Sequence, residues 1–163
     1  MIQQRPHDFL EIYLDGKYYY LVVLTKIVLF GGNIVFGFHS NGEKKELKHF
    51  VSQSKPAGFN CCVDLLEAKM NGDVKRIGRA NDLDKYWLTQ FAKSPIHIGD
   101  NFERRWGWRL YSIHDLQKVK TIRFFLRGKY KRAMHNSCTG FLFYTQLVNS
   151  KYLMGQNIYI NEN

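Results

Sequence analysis

Acid is scarce in this chain, and it is scarcest in one place. Residues 104–132 hold ten Lys or Arg against one acid, Asp115, so +9 of the formal net charge of +10 lies there. A field of one sign attracts nucleic acid, an anionic membrane or an acidic protein surface. Cysteine is also rare: Cys61, Cys62 and Cys138 are the only three. An odd, small number in a chain of this size excludes a disulfide scaffold, and adjacent cysteines could join only through a strained ring. Two reduced side chains, at least one in the core, are expected at Cys61 and Cys62. No Cys-x-x-Cys or His-x-x-x-His spacing, phosphate loop, dinucleotide fingerprint or Gly-x-Ser-x-Gly elbow occurs. Neither a metal nor a cofactor is therefore expected. The longest apolar run, residues 18–24, falls far short of the roughly 20 residues a membrane span needs. Residues 1–7 lack an apolar signal-peptide core, and cytoplasmic residence is the resulting expectation.

Apolar and aromatic residues are plentiful. With 163 residues, 45% hydrophobic and 15% aromatic, the composition is that of a globular protein. One domain spanning residues 1–163 is expected, burying roughly two thirds of its unfolded surface. Residues 8–14 alternate, with Phe9, Glu11 and Tyr13 on one face and Leu10, Ile12 and Leu14 on the other. Asp15-Gly16 then favours a two-residue hairpin turn, because both positions tolerate positive φ. Residues 17–25 read as the return strand, and 27–30 with 34–38 as a second hairpin about Gly31-Gly32-Asn33. The first forty residues thus predict a four-stranded antiparallel meander.

Further along, residues 52–59 predict a loop. Residues 61–70 could be a strand or a short helix, since the apolar positions fit neither period well, and the turn chemistry of Asn71-Gly72-Asp73 favours strand on both sides. Residues 82–92 predict a helix capped by Asp82 or Asp84 and closed by Pro95, with Leu83, Trp87, Leu88 and Phe91 on one stripe. Residues 106–113 and 118–126 alternate as strands, and in the first of them arginine lies on the outer face. Residues 138–147 fit helix or strand, and 152–160 a short last strand. The fold class expected is α+β: one twisted antiparallel sheet packed by one or two helices.

The basic stretch supplies the candidate contacts: Arg104, Arg105, Arg109, Arg123, Arg127, Lys129, Lys131 and Arg132. Trp106, Trp108, Tyr111, Phe124, Phe125 and Tyr130 are threaded among them. On nucleic acid, the cations would neutralise phosphates and exposed rings would stack on unpaired bases. On an acidic protein, arginine would supply bidentate contacts to carboxylates and raise the on-rate. The bland reading is that these charges keep strand edges soluble and unpaired. Trp106 and Trp108 fit core better than contact. Of Tyr18-Tyr19-Tyr20 at least one must face out of a strand, and Tyr19 is the candidate interface anchor. His114-Asp115 could form a general base with its orienting carboxylate only if a turn intervened; a surface histidine beside a capping acid is the plainer reading. A small basic nuclease using His114 or His135 is the third reading, behind protein and nucleic-acid binding.

Arg5-Pro6-His7-Asp8-Phe9-Leu10-Glu11-Ile12, then Leu14-Asp15-Gly16-Lys17-Tyr18-Tyr19-Tyr20, Val23-Leu24 and Val35-Phe36, resembles the opening of the twenty-sixth immunity-protein family of bacterial polymorphic toxin systems. Val74-Lys75-Arg76-Ile77-Gly78 is similar to a later strand of that family. His7 stands where the family usually has Gly, a Trp common there is missing, and nothing beyond Ser112 aligns. The resemblance implies an α+β cytoplasmic immunity protein that binds a cognate toxin and blocks it without catalysis. A strongly basic inhibitor would suit an acidic toxin.

Overall fold

A computed structural model describes residues 5–27, 32–86, 89–98, 101–123, 126–135, 138–139 and 148. Strand β1 (Asp8–Leu14) and strand β2 (Lys17–Ile27) pair antiparallel, with Tyr13 opposite Tyr18 and Leu14 opposite Lys17. Asp15 (φ 49°) and Gly16 (φ 76°) both turn left-handed. This backbone matches the twist of the flanking strands, as the Asp-Gly pair predicts. Strand β3 (Gly32–Phe38) returns along β2, with Ile27 opposite Gly32. Residues 25–27 thus extend β2 rather than opening a new strand, and residues 28–31 lie outside the described residues. The expected four-stranded meander is, among the described residues, three strands.

Helix α1 (Leu47–Val51) follows, then strand β4 (Gly58–Val63), helix α2 (Leu65–Asn71) and strand β5 (Asp73–Arg79). The lean towards strand on both sides of Gly72 therefore holds only after it. Asp64 accepts the Leu66 amide at 2.9 Å and caps α2, so residues 61–70 are the end of a strand fused to a helix. The helix expected over 82–92 is instead a single 3-10 turn, Asp84–Tyr86, with the Asp84 amide on the Asp82 carboxylate at 2.9 Å. Trp87 and Leu88 lie outside the described residues. The Thr89 hydroxyl bonds the Phe91 carbonyl at 3.1 Å, a local contact that competes with helix, and strand β6 (Phe91–Ile98) begins there. Pro95 lies inside that strand. Strand β9 (Met134–His135) runs beside β6 only at Ala92 and Lys93, so at Pro95 the missing N–H interrupts no β9 ladder.

Strand β7 (Asn101–Ser112) and strand β8 (Asp115–Arg123) form the second long hairpin. A 3-10 turn, Gly128–Arg132, comes next, and β10 (Cys138–Thr139) pairs parallel with β4. The strands lie in two sheets rather than one: β10-β4-β3-β2-β1-β5 and β8-β7-β6-β9. Apart from the short parallel bridges of β9 and β10, every ladder is antiparallel. With two short helices, the class is α+β. Residues 140–147 and 152–160 lie outside the described residues.

Contacts group the chain into two compact units: residues 1–88 with 137–152, and residues 89–136 with 153–163. The first has an aromatic core in which Phe38 lies 5.2 Å from Phe9, 5.1 Å from Phe36 and 4.7 Å from Phe50, ring to ring. Both Cys61 and Cys62 are buried. In the second unit Trp108, Leu110, Leu126 and Ala133 form a smaller buried cluster, with Phe91, Ile122 and Tyr130 packed against it.

Candidate binding surface

The β7–β8 hairpin carries the basic stretch, and its alternation sorts the side chains. Trp108 and Leu110 are 1% exposed, whereas Arg109 between them faces solvent. The register sets Arg109 opposite Thr121, and Gly107 opposite Arg123. Glycine is required at 107 because a Cβ there would strike the Ile122 carbonyl. Arg123, Arg127 and Lys129 are exposed. Arg104 and Arg105 lie on β7, and Lys131 and Arg132 in the 3-10 turn after it; those four side chains lie outside what is described, as does that of Trp106. Phe124 and Phe125 lie wholly outside the described residues.

Tyr19 is a correction. It is 4% exposed, so its ring packs inside the first unit and offers a partner nothing. The exposed ring of that hairpin is Tyr13, 41% exposed and 4.8 Å from Tyr18. Two adjacent tyrosines, Tyr19 and Tyr20, are both buried because both faces of this part of β2 are covered. Strand alternation by itself could not show that.

The cations of the second unit meet rings more than acids. Lys120 Nζ donates to the Tyr130 hydroxyl at 3.1 Å and lies 5.1 Å from the ring centre. Lys129 Nζ lies 5.3 Å from the same ring and 5.6 Å from that of Phe91. The hydrogen bond from Lys120, helped by the two ammonium charges, holds the Tyr130 phenol below its ordinary value, since both favour phenolate. Lys93 is 1% exposed, with Nζ 5.0 Å from the Trp108 ring. The one ion pair described in this unit is Lys118–Asp115, 3.4 Å apart and exposed, which adds little stability. A turn does separate His114 from the strand, yet Asp115 accepts the Gln117 amide at 3.1 Å and faces Lys118. The carboxylate is thus engaged away from the exposed imidazole.

Two features of the first unit escaped the sequence reading. Asp8 is 1% exposed; one of its oxygens accepts the Arg5 amide at 2.9 Å, and the other lies 3.8 Å from Arg76 and 3.9 Å from Arg79. His7 beside it has φ 76°, and its Nδ1 lies 2.9 Å from the Ala80 carbonyl. The Pro-His-Asp word in the sequence was the available signal. An open pocket of about 260 Å³ is lined by His39, Ser40, Asn41, Lys45, His49 and Phe50. Lys45 is bound there by Glu43 at 2.9 Å. No sequence spacing links those six residues, because loop geometry gathers them.

Among the described residues no three His, Cys, Asp or Glu side chains gather as a metal site. No helix among them is long and apolar enough to cross a membrane. No protein-family model, curated protein or solved structure matches the chain.

Proposed function

We propose that this is a cytoplasmic immunity-type protein that neutralises a toxin or effector by docking a basic face onto its acidic surface, with no catalysis of its own. The observation that carries the reading is the exposure of the basic stretch: its described cations reach solvent while Trp108 is buried. Arg109, Lys118, Lys120, Arg123, Arg127 and Lys129 face solvent, while Trp108 is buried and Tyr130 half-buried. A binder of unpaired nucleic acid needs exposed rings on which bases can stack. Here Trp108 lies in the core, Tyr130 packs against it and Tyr111 is only partly exposed, which favours carboxylates over bases as the ligand. The left-handed backbone at His7 is the conformation a glycine holds most easily, and the resembling family has glycine there. That supports the resemblance at one position.

The test is twofold. The reading expects a toxin gene immediately upstream of this chain's gene; its toxin domain would be co-expressed with the chain and the purified pair measured for binding. Growth rescue together with a stable complex weakened by Arg123→Glu plus Arg127→Glu is the expected result. The purified protein is also titrated with short mixed DNA and RNA. Micromolar binding that collapses by orders of magnitude between about 50 and 200 mM salt would overturn the reading in favour of a nucleic-acid-binding module.

A further inference from the structure

Among the described residues each sheet ends in one long outer strand, β5 in the first unit and β8 in the second. Both are rich in Lys and Arg, the usual guard of an open edge. They differ in what their charges do. On β5, Arg76 and Arg79 turn to the buried Asp8, Arg79 also reaches the Pro6 carbonyl at 3.3 Å, and Leu47 of α1 lies against Gly78. On β8, Gln117, Lys118, Val119, Lys120, Thr121 and Arg123 are all exposed, and among the described residues the strand pairs with β7 alone.

Resting on the acidic-partner reading above, we infer that β8 is the docking edge, and that its occupant is an extended acidic segment of the partner, added to the sheet as a further strand. Two properties of β8 select that occupant. Strand alternation puts Lys118 and Lys120 on the face that also carries Ile122, whereas Val119, Thr121 and Arg123 share the other. An added strand with carboxylates at every second position would set them beside Lys118 and Lys120. Its intervening β-branched residues would cover Val119, which is 48% exposed, and Thr121. Cross-strand pairs of opposite charge and of β-branched residues both stabilise such an alignment. Against a second copy of this chain, the same lysines would meet lysine or arginine, so the edge that admits an acidic strand resists self-pairing. Backbone hydrogen bonds would supply affinity and the alternate carboxylates specificity, as in other strand-addition complexes.

The probe is a labelled peptide alternating Glu with Val and Thr, compared with one of equal charge whose backbone is N-methylated at alternate residues. Both are titrated into the full chain at about 50 mM salt, with amide exchange followed along β5 and β8. Expected are binding of the plain peptide, slowed exchange in β8 and not in β5, and affinity for the methylated peptide lower by about tenfold or more. Lys118→Thr with Lys120→Thr, which keeps strand propensity, should weaken the plain peptide as well. Equal affinity for both peptides would overturn strand addition while leaving a basic face for an acidic partner. No binding of either peptide, with DNA or RNA bound instead, would overturn both readings. Protection confined to β5, or self-association of the chain through β8, would overturn the choice of edge or of occupant.

Discussion

The two units of this chain are built on different balances. Residues 1–88 hold 12 Lys or Arg against 10 Asp or Glu, whereas residues 89–136 hold 11 against 3. In the first unit several described cations find carboxylates, while Lys44 and Lys85 sit over the rings of Tyr18 and Tyr86: Lys45 meets Glu43 at 2.9 Å, Lys48 meets Glu46 at 2.7 Å, and Arg76 and Arg79 flank Asp8. In the second, Lys93, Lys120 and Lys129 sit over ring faces. Lys120 and Lys129 are exposed, so their positive field extends into solvent. The comparison shows that the basic excess is concentrated in residues 89–136, where Lys118, Lys120, Arg123, Arg127 and Lys129 are exposed.

Breaking the first unit's core should have the largest effect. Phe38 is 1% exposed and touches Phe9, Phe36, Phe50 and Tyr86. Phe38→Ala should cost about 3–5 kcal/mol, read as a shift of the urea midpoint. A smaller loss is expected where that unit buries charge. In Asp8→Asn the side-chain oxygen can still accept the Arg5 amide, but the charge facing Arg76 and Arg79 is gone. Those arginines are half-exposed and 3.8–3.9 Å away, so about 1–3 kcal/mol is expected rather than the full cost of a tight buried pair.

Alkaline titration should separate the units by sign. Burial pushes the phenols of Tyr20 and Tyr86 from 10.0 up to about 12. A raised folded value means the neutral phenol is favoured by folding. That contribution is whole below pH 10 and is lost as pH rises through about 12. Tyr130 is displaced the other way by its Lys120 hydrogen bond, so in the second unit ionisation is favoured by the fold. Phenolate absorbance should thus rise for Tyr130 first, and Tyr130→Phe should remove the earliest part of the curve. Tyr20→Phe should instead flatten the loss of stability above pH 10. The smallest stability effect belongs to the outer face. Arg123→Glu with Arg127→Glu should change the unfolding free energy by no more than about 0.5 kcal/mol while weakening an acidic partner, with a shallower salt dependence of its binding.

How far the sequence could be read differs along the chain for physical reasons. The β1–β2 hairpin was legible because Asp15-Gly16 is a two-residue signal acting on its own neighbours. The outward Arg109 between inward Trp108 and Leu110 was legible because period two is local. Helix α2 was one of two open readings and strand was favoured, although Asp64, three residues before Glu67, is a helix-start pattern. The apolar Cys61, Cys62 and Val63, and Leu65 and Leu66 after Asp64, mix two periods. The stripe over 82–92 misled because apolar spacing alone does not show that Thr89 turns the chain. Of the proposed contact set, the charge was plain in the composition, but the burial of Tyr19 was not. A tyrosine on a two-sided strand is exposed or hidden according to what covers that face.

The sequence alone therefore determined the local turns, the strand alternation, the one-signed charge of residues 104–132 and the reduced state expected of its cysteines, since each depends on residues near one another in the chain. Only the tertiary structure decided that the strands divide between two sheets, that β5 and β8 are their long outer strands, and that the arginines of β5 serve a buried aspartate while the lysines of β8 face solvent. Those outcomes depend on which distant segments pair and on what each side chain meets there, and neither is written in any window of the sequence.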